Sequence, residues 1–206
     1  MEKMMSVTVE FFYDLASPNC YMANKVLPQV LESTGATVAY RPILLGGLFK
    51  ATSNQAPWIT YAPVKPKMAY MMTEMGRFIK KHQLTDYKMN PNFPVNTLLL
   101  QRGMIAAEEA GVVAEYVAAG EKMMWEEGLK MDDPEVYAKG FDTHGLDGSA
   151  LLAKTQDQAI KDKLAANTEE AVKRGAFGAP TFFVGDEMFF GKDRLADLED
   201  EISARS

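Results

Sequence analysis

Residues 7–13, Val-Thr-Val-Glu-Phe-Phe-Tyr, crowd β-branched and aromatic side chains together and then stop at Asp14-Leu15-Ala16-Ser17-Pro18. That composition predicts a strand. Ser17 followed by Pro18 predicts that a helix comes next. Serine is a good N-cap, and proline suits the first helical position because its missing N–H would have had no intrahelical partner. Met22, Val26, Leu27, Val30 and Leu31 then recur at helical spacing up to a stop at Gly35, with Pro28 inside the run predicting a kink. Thr37 to Tyr40 read as a second strand. Residues 7–41 therefore make a strand, helix, strand unit, right-handed if its strands are parallel.

The middle of the chain has another period. From Pro66 onward Met68, Met71, Met72, Met75, Phe78 and Ile79 form an apolar stripe that predicts a helix over 66–82, its methionines filling a core. Leu98 to Ala110, Val113 to Glu127, Pro134 to Lys139 and Gly148 to Arg174 carry helical composition, punctuated by Gly111, Gly128, Gly140 and Gly145. Strand composition returns at 179–184, and Gly185-Asp186 turns the chain into a partner strand at 187–190. After Gly191-Lys192-Asp193-Arg194, the positions Leu195, Leu198 and Ile202 predict a last amphipathic helix. The order β-α-β, helices, β-β-α closes one mixed sheet from both ends of the chain, an α/β fold. Residues 1–45 and 175–206 are expected to form the sheet domain, and 46–174 an inserted helical domain.

Charge narrows the partners. With 28 acidic against 22 basic side chains the net charge is -6, which gives no electrostatic footprint for nucleic acid and no attraction to an acidic membrane surface. No apolar stretch approaches the ~20 residues of a membrane-spanning helix. Met1 to Ser6 lack the continuous apolar core of a secretion signal, so a cytoplasmic, reducing compartment is expected. The single cysteine, Cys20, cannot pair within the chain, and together with His82 and His144 it makes no metal-ligand spacing. No metal is expected, and both histidines are assigned to the surface.

Candidate chemistry centres on the first helix start. A serine beside free backbone N–H groups and the positive end of a helix dipole either caps the helix or helps to stabilise an anion such as a thiolate. Cys20 lies three residues after Ser17, at the second place of a C-x-x-C spacing whose first place holds serine. A dithiol oxidoreductase needs one sulfur to attack and one to resolve, so that mechanism is strongly disfavoured. Cys20 is read as a partly buried packing thiol, a reactive monothiol being the alternative.

Phe12-Tyr13-Asp14 with Ser17-Pro18, Leu45-Gly46-Gly47-Leu48-Phe49-Lys50 with Asn54, Asn92-Phe93-Pro94-Val95-Asn96, Phe177-Gly178-Ala179-Pro180-Thr181-Phe182-Phe183 and Gly191-Lys192-Asp193-Arg194 occur in this order. With them the chain resembles, over nearly its whole length, the 2-hydroxychromene-2-carboxylate isomerase family, relatives of kappa-class glutathione transferases. The resemblance implies a thioredoxin-like fold of DsbA type with a large all-helical insertion, glutathione as cofactor, a carboxylated aromatic substrate and a homodimer. It implies that Ser17 hydrogen-bonds the glutathione sulfur, and that Ala179 and a cis Pro180 offer backbone to the tripeptide. Gly191, Lys192, Asp193 and Arg194 would meet its γ-glutamyl end. Lys50 and Asn54 would bind substrate in the loop leaving the second strand, with Phe93, Pro94 and Asn96 as the opposite wall. Without the resemblance these residues read as a trans proline, solvated charges and turn chemistry. Trp58, Tyr61 and Tyr70 read first as packing. The implied activity is glutathione-dependent cis–trans isomerisation. The alternatives are a kappa-like glutathione transferase or peroxidase, and a binding module without turnover.

Overall fold

The computed structural model describes residues 6–205; Met1 to Met5, considered above as a leader, lie outside them. Four strands form one sheet in the order β2-β1-β3-β4. β1 (Thr8–Tyr13) runs parallel to β2 (Thr37–Pro42) and antiparallel to β3 (Thr181–Val184), which pairs in turn with β4 (Glu187–Phe190). The mixed sheet drawn from both chain ends is thus as expected. Central β1 packs aromatic rings on both faces. Phe11 meets Phe182 at 4.3 Å and Tyr13 at 5.1 Å between ring centres, and Phe12 meets Phe183 at 5.4 Å on the other side. Alternation along a strand sends successive side chains to opposite faces, so the consecutive buried rings of Phe11, Phe12 and Tyr13 require cover on both faces at this end of β1.

The first helix, α1 (Pro18–Thr34), starts and stops where the caps predict, with Ser17 as N-cap and Gly35 at φ 69° as C-cap. It passes through Pro28, whose ring lies on the exposed side. Where a loop was expected after β2, the chain forms α2 (Leu45–Ala51) and the single turn α3 (Pro57–Thr60). Propensity alone disfavours a helix at Gly46-Gly47. Burial of Leu45 and Leu48 overrides it, helped by a carboxylate from β1 that receives the first amide of α2.

α4 (Lys65–Lys81) corrects the expected methionine core. Met68, Met71 and Met75 are only half-buried, Met72 is 58% exposed, and Phe78 alone in this helix is buried. The stripe docks by its C-terminal end, through Met75, Phe78 and Ile79. α5 (Leu98–Glu109), α6 (Val113–Trp125) and α7 (Pro134–Thr143) follow the predicted periods. The expected single helix from Gly148 is two, α8 (Gly148–Lys154) and α9 (Gln158–Lys173). The break has no glycine or proline. Thr155 turns its hydroxyl back onto the Leu152 carbonyl, and Asp157 adopts the extended N-cap conformation that starts the next helix. A 3-10 turn (Lys192–Arg194) and α10 (Leu195–Arg205) end the chain, with α10 against α1 and β3.

Candidate active site

The site is built on the corner between β1 and α1. Asp14 is fully buried there, and its carboxylate receives three donors: the Ala16 N–H at 2.8 Å, the Thr97 hydroxyl at 2.7 Å and the Leu45 N–H at 2.7 Å. One side chain therefore fixes the corner to the starts of α2 and α5. Burial raises its pKa to about 6, against the opposing pull of those three hydrogen bonds. Gln101 on α5 completes the clamp. Its amide donates to the Tyr13 carbonyl (2.7 Å) and the Ile43 carbonyl (2.9 Å) and accepts from the Leu15 N–H (3.2 Å). The Trp125 indole donates to the Leu15 carbonyl at 3.0 Å.

Ser17 caps α1 as the sequence suggests, its Oγ accepting the Cys20 N–H at 3.2 Å. The same hydroxyl donates to the Ala179 carbonyl at 3.1 Å. The Ala179–Pro180 bond is cis, and the Pro180 carbonyl accepts the Gly191 N–H at 2.9 Å. Gly191 sits at φ 101°, a conformation open in practice only to glycine. The tip of α1 thus meets the segment before the cis proline, and that segment is tied in turn to Gly191, the residue before the 3-10 turn. Among the described residues, the backbone N–H groups of Asn19, Ala179 and Asp193 have no acceptor, so this convergence keeps unengaged donors.

Cys20, one turn in, is fully buried, and burial pushes its thiol well above the ordinary range. The packing reading therefore holds. Cys20→Ala is expected to leave turnover within about threefold, and native protein at pH 8 to resist iodoacetamide. Labelling at the rate of an exposed thiol would contradict this.

The other expected residues differ in their engagement. Lys50 is exposed on the last turn of α2. Asn54 donates to the Phe177 carbonyl at 2.9 Å, so it ties the end of α2 to the segment before the cis proline. Phe93 is half-buried, meeting Trp58 edge-on at 4.8 Å and Trp125 at 6.1 Å, and the Phe93–Pro94 bond is also cis. Asn96 accepts the Leu98 N–H at 3.0 Å, which is turn chemistry. Asp193 and Arg194 are exposed, Arg194 lying 3.7 Å from Asp197. Lys192 departs from its expected place beside a ligand. It is 3% exposed, and its ammonium is held by Glu74 of α4 at 2.7 Å and by Asp193 at 2.8 Å, over the Phe78 ring. It anchors α4 to the 3-10 turn. His82 and His144, expected on the surface, are half-buried, against Phe78 and the Gly140 carbonyl respectively.

Two features escaped the sequence reading. Trp125 stacks on Tyr87 at 6.0 Å, and Tyr87 meets Tyr21 at 5.6 Å, so an aromatic tier runs from Trp58 through Phe93 to α1. Tyr21 follows Ser17 by one turn and shares its face of the helix. Glu121 on α6 is buried, accepting the Tyr13 hydroxyl at 2.8 Å with Lys25 3.9 Å away, and burial raises its pKa to about 8. Both Trp125 and Glu121 lie in a helical period whose partners are set by tertiary packing. Nothing local to either marks it.

Comparison with known proteins places this geometry. A family model described as a DSBA-like thioredoxin domain matches residues 8–203. The 2-hydroxychromene-2-carboxylate isomerase of Sphingobium xenophagum is 30% identical over 203 residues, covering 95% of this chain and 97% of its own. Glutathione S-transferase kappa 1 of Homo sapiens is 25% identical over 206 residues, covering 91% and 87%. A solved 2-hydroxychromene-2-carboxylate isomerase superposes with a TM-score of 0.82 at 28% identity, covering 96% of this chain and 95% of that one.

Proposed function

The chain belongs to the DsbA-like thioredoxin-domain family and, within it, to the 2-hydroxychromene-2-carboxylate isomerases, and from that premise we propose that it is a glutathione-dependent cis–trans isomerase of a carboxylated aromatic metabolite. One observation carries the reading: the Ser17 hydroxyl at the tip of α1 lies in hydrogen-bond contact with the residue before a cis proline. The residues suit glutathione. Among the described residues the amides of Asn19, Ala179 and Asp193 are donors without acceptors, matching a ligand whose peptide carbonyls and carboxylates are acceptors. Ser17, Ala179, Pro180, Gly191 and Asp193 would hold it. Arg194 adds charge at the γ-glutamyl end, and Lys192 contributes by fixing the turn.

When bound, glutathione supplies a sulfur nucleophile that adds reversibly to a conjugated double bond, so that the bond turns as a single bond before the sulfur leaves. Ser17 holds a proton towards that sulfur and, with the α1 terminus, favours its anionic form. Its hydroxyl must first turn from the Ala179 carbonyl. Lys50 pairs with the substrate carboxylate, and Trp58 and Phe93 offer flat apolar surface to its ring, backed by the buried Trp125. In this reading the sheet domain, residues 1–45 and 175–206, holds the cofactor, while 46–174 holds the substrate. Asn54 and Asn96 serve as positioning residues.

The test is product analysis on 2-hydroxychromene-2-carboxylate with and without glutathione. Isomerisation that requires glutathione and consumes none is expected. An accumulating conjugate or glutathione disulfide would instead identify a transferase or peroxidase. Calorimetric binding of glutathione without turnover of any isomerisable or electrophilic compound would identify a binding module.

A further inference from the structure

Apart from the Ser17 corner, α2, α5 and α9 enclose a groove of about 510 Å³. That is within the size range of small-molecule sites. None of Ser17, Ala179 or Pro180 lines it. Its apolar surface comes from Leu44, Leu98, Leu164 and Val172. On α9 the lining positions 161, 164, 165, 168, 169 and 172 recur at helical spacing, so one face of a single helix forms a wall.

Around that apolar surface stand Arg102, Lys161 and Lys173, against one carboxylate, Glu169. Among the described residues none of these three cations makes a hydrogen bond or ion pair, although the chain as a whole is acidic at -6. Arg102 carries the argument furthest. Among the described residues, three side-chain polar atoms are shielded from solvent without a hydrogen-bond partner: Arg41 Nε, Asp132 Oδ1 and Arg102 Nε. Arg41 Nε still faces Glu10 at 3.6 Å, and Asp132 Oδ1 faces Lys130 at 4.0 Å. Among the described residues, Arg102 has no carboxylate within 4 Å. A shielded N–H without an acceptor is costly, and guanidinium binds carboxylates in fixed, paired geometry. An anion in the groove would supply the acceptor while its apolar part covers Leu98 and Leu164.

We propose that the α2–α5–α9 groove is a binding site, separate from the candidate site at Ser17, for a small amphipathic carboxylate whose anionic group is held by Arg102 and whose apolar body lies along α9. Lys161 and Lys173 add favourable potential at the mouth, and binding is therefore weakened by salt. The inference stands on this groove alone, independent of the role proposed for Ser17.

The probe is 1-naphthoate, titrated calorimetrically into the full chain and followed by amide shifts in 15N-labelled protein. Saturable binding is expected, with shifts centred on Gly47, Ala51, Ala165 and Val172. The neutral analogue 1-naphthalenemethanol should bind at least tenfold more weakly, and Arg102→Met should weaken 1-naphthoate by at least tenfold. Should Arg102→Met fail to fold, two variants at the mouth decide the matter: Lys161→Gln with Lys173→Gln, expected to weaken binding several-fold, and Ala165→Trp, expected to block the groove. No saturable binding to the wild-type chain would overturn the proposal. So would equal affinity for the neutral analogue, or 1-naphthoate binding that survives Ala165→Trp unchanged.

Discussion

Ser17→Ala is expected to slow glutathione-dependent isomerisation by about a hundredfold, the low end of what loss of one preorganised hydrogen-bond donor to a reacting anion costs. The fold should persist. The variant loses one side-chain cap, the Oγ that accepts the Cys20 N–H, and one bond to the Ala179 carbonyl. Loss of the cap costs about 1 kcal/mol. The Asp14 and Gln101 clamps that shape the corner remain. The informative measurement is the pH profile of kcat/KM. If the hydroxyl favours the thiolate, its removal shifts the thiol titration to higher pH, and part of the lost rate returns as the pH is raised. A variant that turns over at the wild-type rate, with an unmoved profile, would remove Ser17 from the chemistry and leave it a helix cap.

That the corner could be foreseen while its supports could not has a physical origin. Ser17-Pro18 announces a helix start because capping and the proline ring are local effects within four residues. The alternation of β1 and the turn at Gly185-Asp186 are local in the same sense, and both ends of the sheet were legible. Ala179 and Pro180 reach Ser17 across 162 positions of sequence, and only family resemblance brought them together on paper. α2 is not legible locally because two glycines are poor helix formers, whereas the feature that starts the helix is an aspartate 31 residues earlier. The α4 stripe shows the reverse error. Its period correctly gave a helix, but amphipathicity states only that a face is apolar and not how much of it is covered, and Met72 stays exposed. Lys192 likewise reads as a ligand-facing cation in its tetrapeptide, yet turns inward because Glu74, 118 positions away, is there to pair with it.

Glu121→Gln is expected to change how stability depends on pH more than any other single substitution in the helical part of the chain. Glu121 is buried, and its pKa of about 8 compares with an ordinary value of 4.5. Burial dominates over the Tyr13 hydrogen bond and over Lys25 at 3.9 Å, both of which favour the anion. An acid whose pKa is raised on folding keeps its proton in the native state where the unfolded chain has already lost it. Stability from this group is therefore complete below about pH 4.5, falls as the pH rises towards 8, and is flat above. Asp14 adds a fall of the same sign, complete by about pH 6. Between pH 6 and 8 the slope belongs mainly to Glu121. At about 1.4 kcal/mol per pH unit the wild-type chain should lose roughly 2–3 kcal/mol across that window. Glutamine cannot ionise, and its carbonyl still accepts the Tyr13 hydroxyl. The variant should match the wild type at pH 5, exceed it by roughly 3–5 kcal/mol at pH 8.5, and show a nearly level profile between pH 6 and 8. Urea unfolding at pH 5, 6.5 and 8.5 reads this directly. Parallel profiles for the two proteins would mean that Glu121 is already ionised at pH 6, with Lys25 and Tyr13 outweighing its burial.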